Sequence, residues 1–118
     1  MIDLWMLCRG WLLPALLPED GGEAELVAEI AAGRVRLWVG EACALATELA
    51  SEGDGTCLHI WLGGGDLQGI LALRPGLEAY ARGLGCRSVT IDGRPGWSRV
   101  LRGHGYVRAG GELRRTLR

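Results

Sequence analysis

Two rhythms of apolar and polar positions alternate along this chain. Leu4, Leu7, Cys8, Trp11 and Leu12 recur at helical spacing until Pro14 and Pro18 end the pattern. Glu19–Gly22 reads as a polar turn. The run from Glu23 to Ala32 is a short amphipathic helix with acids in its first turn, closed by Gly33. The rhythm then shifts to a period of two. Val35, Leu37 and Val39 alternate with Arg34, Arg36 and Trp38, which predicts a half-buried strand. Residues 42–50 carry little polar character and predict a central strand. Ser51–Gly55 (SEGDG) is a hairpin signal. Thr56–Leu62 is apolar on both faces apart from His59, the pattern of a strand covered on both sides.

A glycine triplet, Gly63, Gly64 and Gly65, reads as a loop before a helix that Asp66 caps. Leu67, Ile70, Leu71, Leu77, Tyr80, Ala81 and Leu84 hold the helical period as far as Gly85. Pro75 predicts a kink or a restart. Ser88–Asp92 is a short strand, so Thr56 to Asp92 forms a strand–helix–strand crossover. A turn, a short helix over Trp97–Arg102, and two strands around Gly110–Gly111 complete the chain. Neither repeats nor low-complexity linkers interrupt it.

At 118 residues, 48% of them apolar, the chain has the size of one domain over 1–118 with one core. Charge divides unevenly. Residues 1–73 hold three arginines against eleven acids, and residues 74–118 hold ten arginines against three. Such a split either steers an anionic partner to one side or lets the two halves attract each other. Cys8, Cys43, Cys57 and Cys86 are widely spaced in apolar settings, the pattern of buried free thiols in a reducing compartment rather than a metal site. The apolar N-terminal stretch has Asp3 before it and Arg9 and Pro14 within it, which fits neither a signal peptide nor a membrane span. No membrane association is expected. Trp5, Trp11 and Trp38 serve either as core residues or as exposed anchors for a partner.

The order of elements resembles the GNAT superfamily of acetyl-CoA-dependent N-acetyltransferases across nearly the whole chain. Leu77–Cys86 (LEAYARGLGC) looks like the end of that family's third helix, and Gly105–Tyr106 is similar to the pair opening its sixth strand. Short GNAT-like proteins of tailed bacteriophages are similar in more detail. The matching residues are Ile30 to Gly33, Leu37–Trp38, Gly64–Leu67 and Ile91 to Trp97. The resemblance implies an α/β (α+β) fold with a mixed, mostly antiparallel central sheet and helices on both faces.

Two departures bear on the chemistry that this family performs. Its pyrophosphate-binding loop places small residues where this chain has Gln68 and Ile70, with Gly65 at the loop's first position. The tyrosine that many members use as general acid falls on Leu101, and the family's asparagine falls near Arg94. The candidates that remain are Gly63, Gly64, Gly65, Leu67 and Gln68 for a cofactor's phosphates, with His59 as a base and Glu48 beside it on the adjacent strand. The bland alternatives are a loop, a helix cap at Asp66 and a hydrogen-bonded structural histidine. Arg94, Arg99, Arg102 and Arg108 outline a basic face without any known nucleic-acid reader motif, so nucleic acid is not the expected partner.

The resemblance and the departures together imply a phage-encoded GNAT-fold protein acting as a structural or interaction component. It would sit in the virion or the host cytoplasm, with protein partners that include other virion components or itself. No cofactor or metal is expected on that reading. The alternative is a divergent N-acetyltransferase using acetyl-CoA.

Overall fold

The structure, a computed structural model, describes residues 3–92 and 95–117. Four α-helices and a six-stranded sheet make a mixed α/β fold. Helices α1 (Leu4–Leu12) and α2 (Glu23–Ala31) precede strands β1 (Val35–Gly40), β2 (Cys43–Glu52) and β3 (Gly55–Gly65). Helix α3 (Leu67–Gly83) leads to β4 (Ser88–Asp92). Helix α4 (Pro95–Leu101), β5 (Val107–Ala109) and β6 (Glu112–Thr116) follow. The sheet order is β1-β2-β3-β4-β6-β5. β3 and β4 are parallel, while β1–β2, β4–β6 and β5–β6 are antiparallel. The expected mostly antiparallel mixed sheet is therefore present.

Contacts gather the residues into two compact units. One holds the chain up to Glu48 together with Trp61–Pro75; the other holds Leu49–Ile60 together with Gly76 onward. The units differ in sign as well. By sequence the first carries nine acids against four arginines, a net of −5, and the second nine arginines against five acids, a net of +4.

In the first unit, Trp5, Cys8 and Leu12 of α1 and Leu26 of α2 pack on Val35, Leu37, Ala44, Ala46 and Leu62 of the strands. Sequence spacing alone points Leu4 and Leu7 inward, and the structure corrects this: they are 44% and 47% exposed, and Trp5 takes the buried face. A segment apolar nearly all round offers two overlapping stripes. What favours this one is a partner for the indole, whose Nε1 donates to Glu23 Oε2 at 2.9 Å. The Arg9 guanidinium forks onto the same carboxylate at 2.6 and 3.0 Å. These bonds, Arg9 first and Trp5 next, hold the Glu23 carboxyl down at about 2. Because strand neighbours alternate, Cys43 and Leu45 face away from Ala44 and Ala46. The start of α3 covers that opposite side, with Gly69 against Cys43, so this unit's strands carry helices on both faces.

The β1–β2 hairpin is tight, with Gly40 opposite Cys43 and Ala42 held at φ +54°. Glycine favours that left-handed conformation; alanine adopts it at a cost. In the second unit β4 pairs with β3 from Cys57↔Ser88 to Ile60↔Ile91, and with β6 from Ser88↔Thr116 to Asp92↔Glu112. α3 runs unbroken through Pro75, so the expected restart does not occur. The only bond that proline must forgo there is its own N–H to the preceding turn.

Candidate functional site

The glycine triplet is not a loop. Gly63–Gly65 continue β3 to its end, and Gly64 and Gly65 are pressed against the chain itself. A Cβ at Gly64 would fall on the Trp11 carbonyl oxygen of α1. Gly65, at φ +103°, sits against the Ala42 carbonyl and the Cys43 backbone. One turn into α3, a Cβ at Gly69 would lie 2.5 Å from the Glu41 carbonyl oxygen and 2.9 Å from Cys43 Sγ. These glycines let three backbone segments meet.

Asp66 behaves as the cap that its position predicts. Its N–H donates to Ala42 O at 2.8 Å, and its carboxylate accepts the Gly69 N–H at 3.0 Å. Leu67 and Gln68 are exposed in the first turn of α3. A phosphate approaching that turn would meet a carboxylate already bonded to its backbone, and like charges repel at such range.

His59 belongs to the second unit and faces a polar row. Alternation along β3 puts Cys57 and His59 on one side, and the register sets Ser88 and Thr90 beside them, with Arg114 and Glu112 beyond on β6. His59 Nδ1 lies 2.8 Å from Thr90 Oγ1, and Cys57 Sγ lies 3.8 Å from the same hydroxyl. The Ser88 hydroxyl donates to Glu52 Oε2 at 2.6 Å. Arg114 bridges the other Glu52 oxygen at 2.5 Å and Glu112 at 3.4 Å.

Glu48 lies in the first unit, half-buried opposite Val35, and within the second unit the carboxylate bonded to the row is Glu52. One strand position can be read from sequence, but which acid of β2 reaches a neighbour depends on pairing. Glu52, Ser88, Thr90 and Arg114 went unmarked because each is a common strand or turn residue until its neighbours are known.

The chemistry open to the row is limited. Burial pushes the Cys57 thiol up, with Glu52 and Glu112 adding to the rise and Thr90 and Arg114 opposing it, so the sulfur stays protonated at neutral pH. Burial likewise raises Cys8 and Cys43. All four cysteines are free and buried, as their settings predict. What remains is a half-buried imidazole oriented through Nδ1 by a threonine hydroxyl, the arrangement of a positioned base or of a structural histidine.

Leu101, where the resemblance puts a general acid, is buried. A buried phenol does exist nearby in the chain, but its hydroxyl is committed: Tyr106 Oη donates to Glu78 Oε2 at 2.9 Å. Arg115 contacts the other Glu78 oxygen at 3.1 Å and donates to His104 O at 2.7 Å. Glu78 is only 2% exposed. Its place beside Leu77 and Ala81 on the apolar face of α3 was the one sequence signal for this network.

Of the basic face, Arg99, Arg102 and Arg108 gather around one depression with Ser98. Arg94 lies outside the described residues. Among the described residues, no helix is long and apolar enough to cross a membrane, and no three His, Cys, Asp or Glu side chains gather as metal ligands. No protein-family model, curated protein or solved structure matches this chain.

Proposed function

We propose that this protein is a structural or interaction component built on a GNAT-like layout in which acetyl transfer is not supported. It would be phage-encoded, acting in the virion or on a host component. The observation that carries this reading is the filling of the glycine turn by the chain's own backbone. Gly64 seats the Trp11 carbonyl and Gly65 seats Ala42, so the small residues serve internal packing where a transferase would seat pyrophosphate. The commitment of Asp66 to capping and the buried leucine at position 101 weigh in the same direction.

A protein partner is favoured by the outer face of α1. Leu4, Met6 and Leu7 are 44%, 64% and 47% exposed on one short helix, more contiguous apolar surface than an isolated residue accounts for. Calorimetry with acetyl-CoA tests the reading, which expects no saturable heat up to about 1 mM, the weak end of ordinary substrate affinities. Micromolar binding that Gly65→Val abolishes would overturn it.

The His59–Thr90 pair favours a second reading, a divergent acetyltransferase with His59 as base. That reading requires thiol release from acetyl-CoA with an amine acceptor, lost when His59 and Glu48 are both changed to Ala.

A further inference from the structure

We infer that the outer face of α1 packs against the same face of a second copy of this chain, in an antiparallel pair about a two-fold axis. The inference names the partner for the interaction reading above and rests on that reading. Helix α1 is apolar on two opposite sides, and the fold uses only one of them. Trp5, Cys8 and Leu12 are buried in the first unit's core. Met6, Leu7 and Gly10 are exposed on the other side. Gly10 follows Leu7 by three residues and Met6 by four, so the three share one helix face. A helix apolar all round is ordinarily covered all round.

Gly10 is the telling position. Glycine inside a helix weakens it. At Gly64, Gly65 and Gly69 the close approach of the chain's own backbone accounts for the choice. Gly10 has no such reason inside the fold: among the described residues, nothing beyond its own stretch of helix lies within 4 Å of where its Cβ would sit. The missing side chain opens a depression of about 310 Å³ lined by Arg9, Gly10, Leu13 and Pro14. One turn before it stand Met6 and Leu7, 64% and 47% exposed. The helix therefore carries a knob and a hole one turn apart.

A knob and a hole on one helix select a second copy as the occupant, because a two-fold pair seats each knob in the other's hole. In the antiparallel pairing, Met6 of each copy meets Gly10 of the other. Asp3 then lies level with Leu13 of the second copy, one turn from its Arg9, so opposite charges flank the apolar centre at both ends. A parallel pairing would instead set like charges together. Nine residues make a helix about 14 Å long, which puts the buried area at the low end for dimers. The pair is therefore reversible, forming at about micromolar concentration or above.

Sedimentation equilibrium of the full chain from about 1 μM to about 1 mM is the test. The parent is expected to reach a dimer and no larger species. Gly10→Gln fills the hole with a good helix former at an exposed position. It should weaken the dimer at least tenfold while unfolding no more readily than the parent. Met6→Glu should also weaken it at least tenfold, and Val107→Glu, exposed on β5, should leave it unchanged. Added salt should tighten the pair, since the first unit's nine acids outnumber its four arginines and repel across the interface. A monomer throughout, or a dimer indifferent to both α1 substitutions, overturns the inference. So does an open series of larger species that salt disperses, the signature of one copy's acidic unit docking on another's basic unit. Acetyl-CoA calorimetry keeps the two readings apart. A monomer that ignores acetyl-CoA overturns the pairing and leaves the interaction reading standing with a different partner. A dimer that binds acetyl-CoA at micromolar concentration refutes that reading and upholds the pairing.

Discussion

The two compact units handle charge in opposite ways. In the first, carboxylates stay at the rim: Glu23 clamps Arg9 and the Trp5 indole beside a wholly apolar core, and glycines let backbone segments close in. In the second, a carboxylate is taken inside, where Glu78 joins Tyr106 and Arg115, and a row of polar side chains crosses the sheet. The lesson concerns where chemistry is affordable. The first unit closes its core by backbone contact, whereas the second, with more cations than acids, sets hydroxyls and charges side by side across its strands.

The sharpest way to break this contrast is Glu78→Ala. Removing a buried partner takes away the acceptor shared by Arg115 and the Tyr106 hydroxyl, and should cost about 3 kcal/mol in denaturant unfolding. If the cost is under about 1 kcal/mol, the second unit is not organised around that carboxylate. Gly64→Ala probes the first unit and should cost about 2 kcal/mol, since α1 must move off the Trp11 carbonyl contact. A neutral result would reopen the turn as space for a ligand. Tyr106→Phe should cost about 1 kcal/mol, the worth of one hydrogen bond. Ala42→Gly is expected to act in the other direction, stabilising by about 1 kcal/mol because glycine adopts the left-handed turn without strain.

The smallest effect is a pH dependence in the first unit. The Glu23 carboxyl is held at about 2 against an ordinary 4.5, so its pairing stabilises the fold above pH 4.5 and is lost as pH falls toward 2. Tryptophan fluorescence followed through that window should report the release of Trp5, and Glu23→Gln should flatten the response. A response unchanged in Glu23→Gln would place the acid sensitivity elsewhere.

Much of the architecture was legible because it rests on short-range rules. The α2 boundaries follow from acids at one end and Gly33 at the other, β4 from the β-branched run Val89, Thr90 and Ile91, and the Asp66 cap from its place before an apolar period. His59 stood out as the only polar interruption in β3. Its true neighbours did not, because Thr90 lies 31 residues away and becomes adjacent only through parallel pairing.

Local periodicity and punctuation were enough to determine helices, strands, turns and the crossover, since each is set by residues within a few positions of one another. Tertiary structure alone decided what the special residues do. A glycine in the sequence states only that space is needed. In this fold the Trp11 and Ala42 carbonyls lie where side chains at Gly64 and Gly65 would go. Likewise, ten C-terminal arginines look alike in sequence, and folding sorted them by distributing a few carboxylates. Coulomb attraction acts on distance in space, so which carboxylate each arginine meets is decided only after the strands have paired.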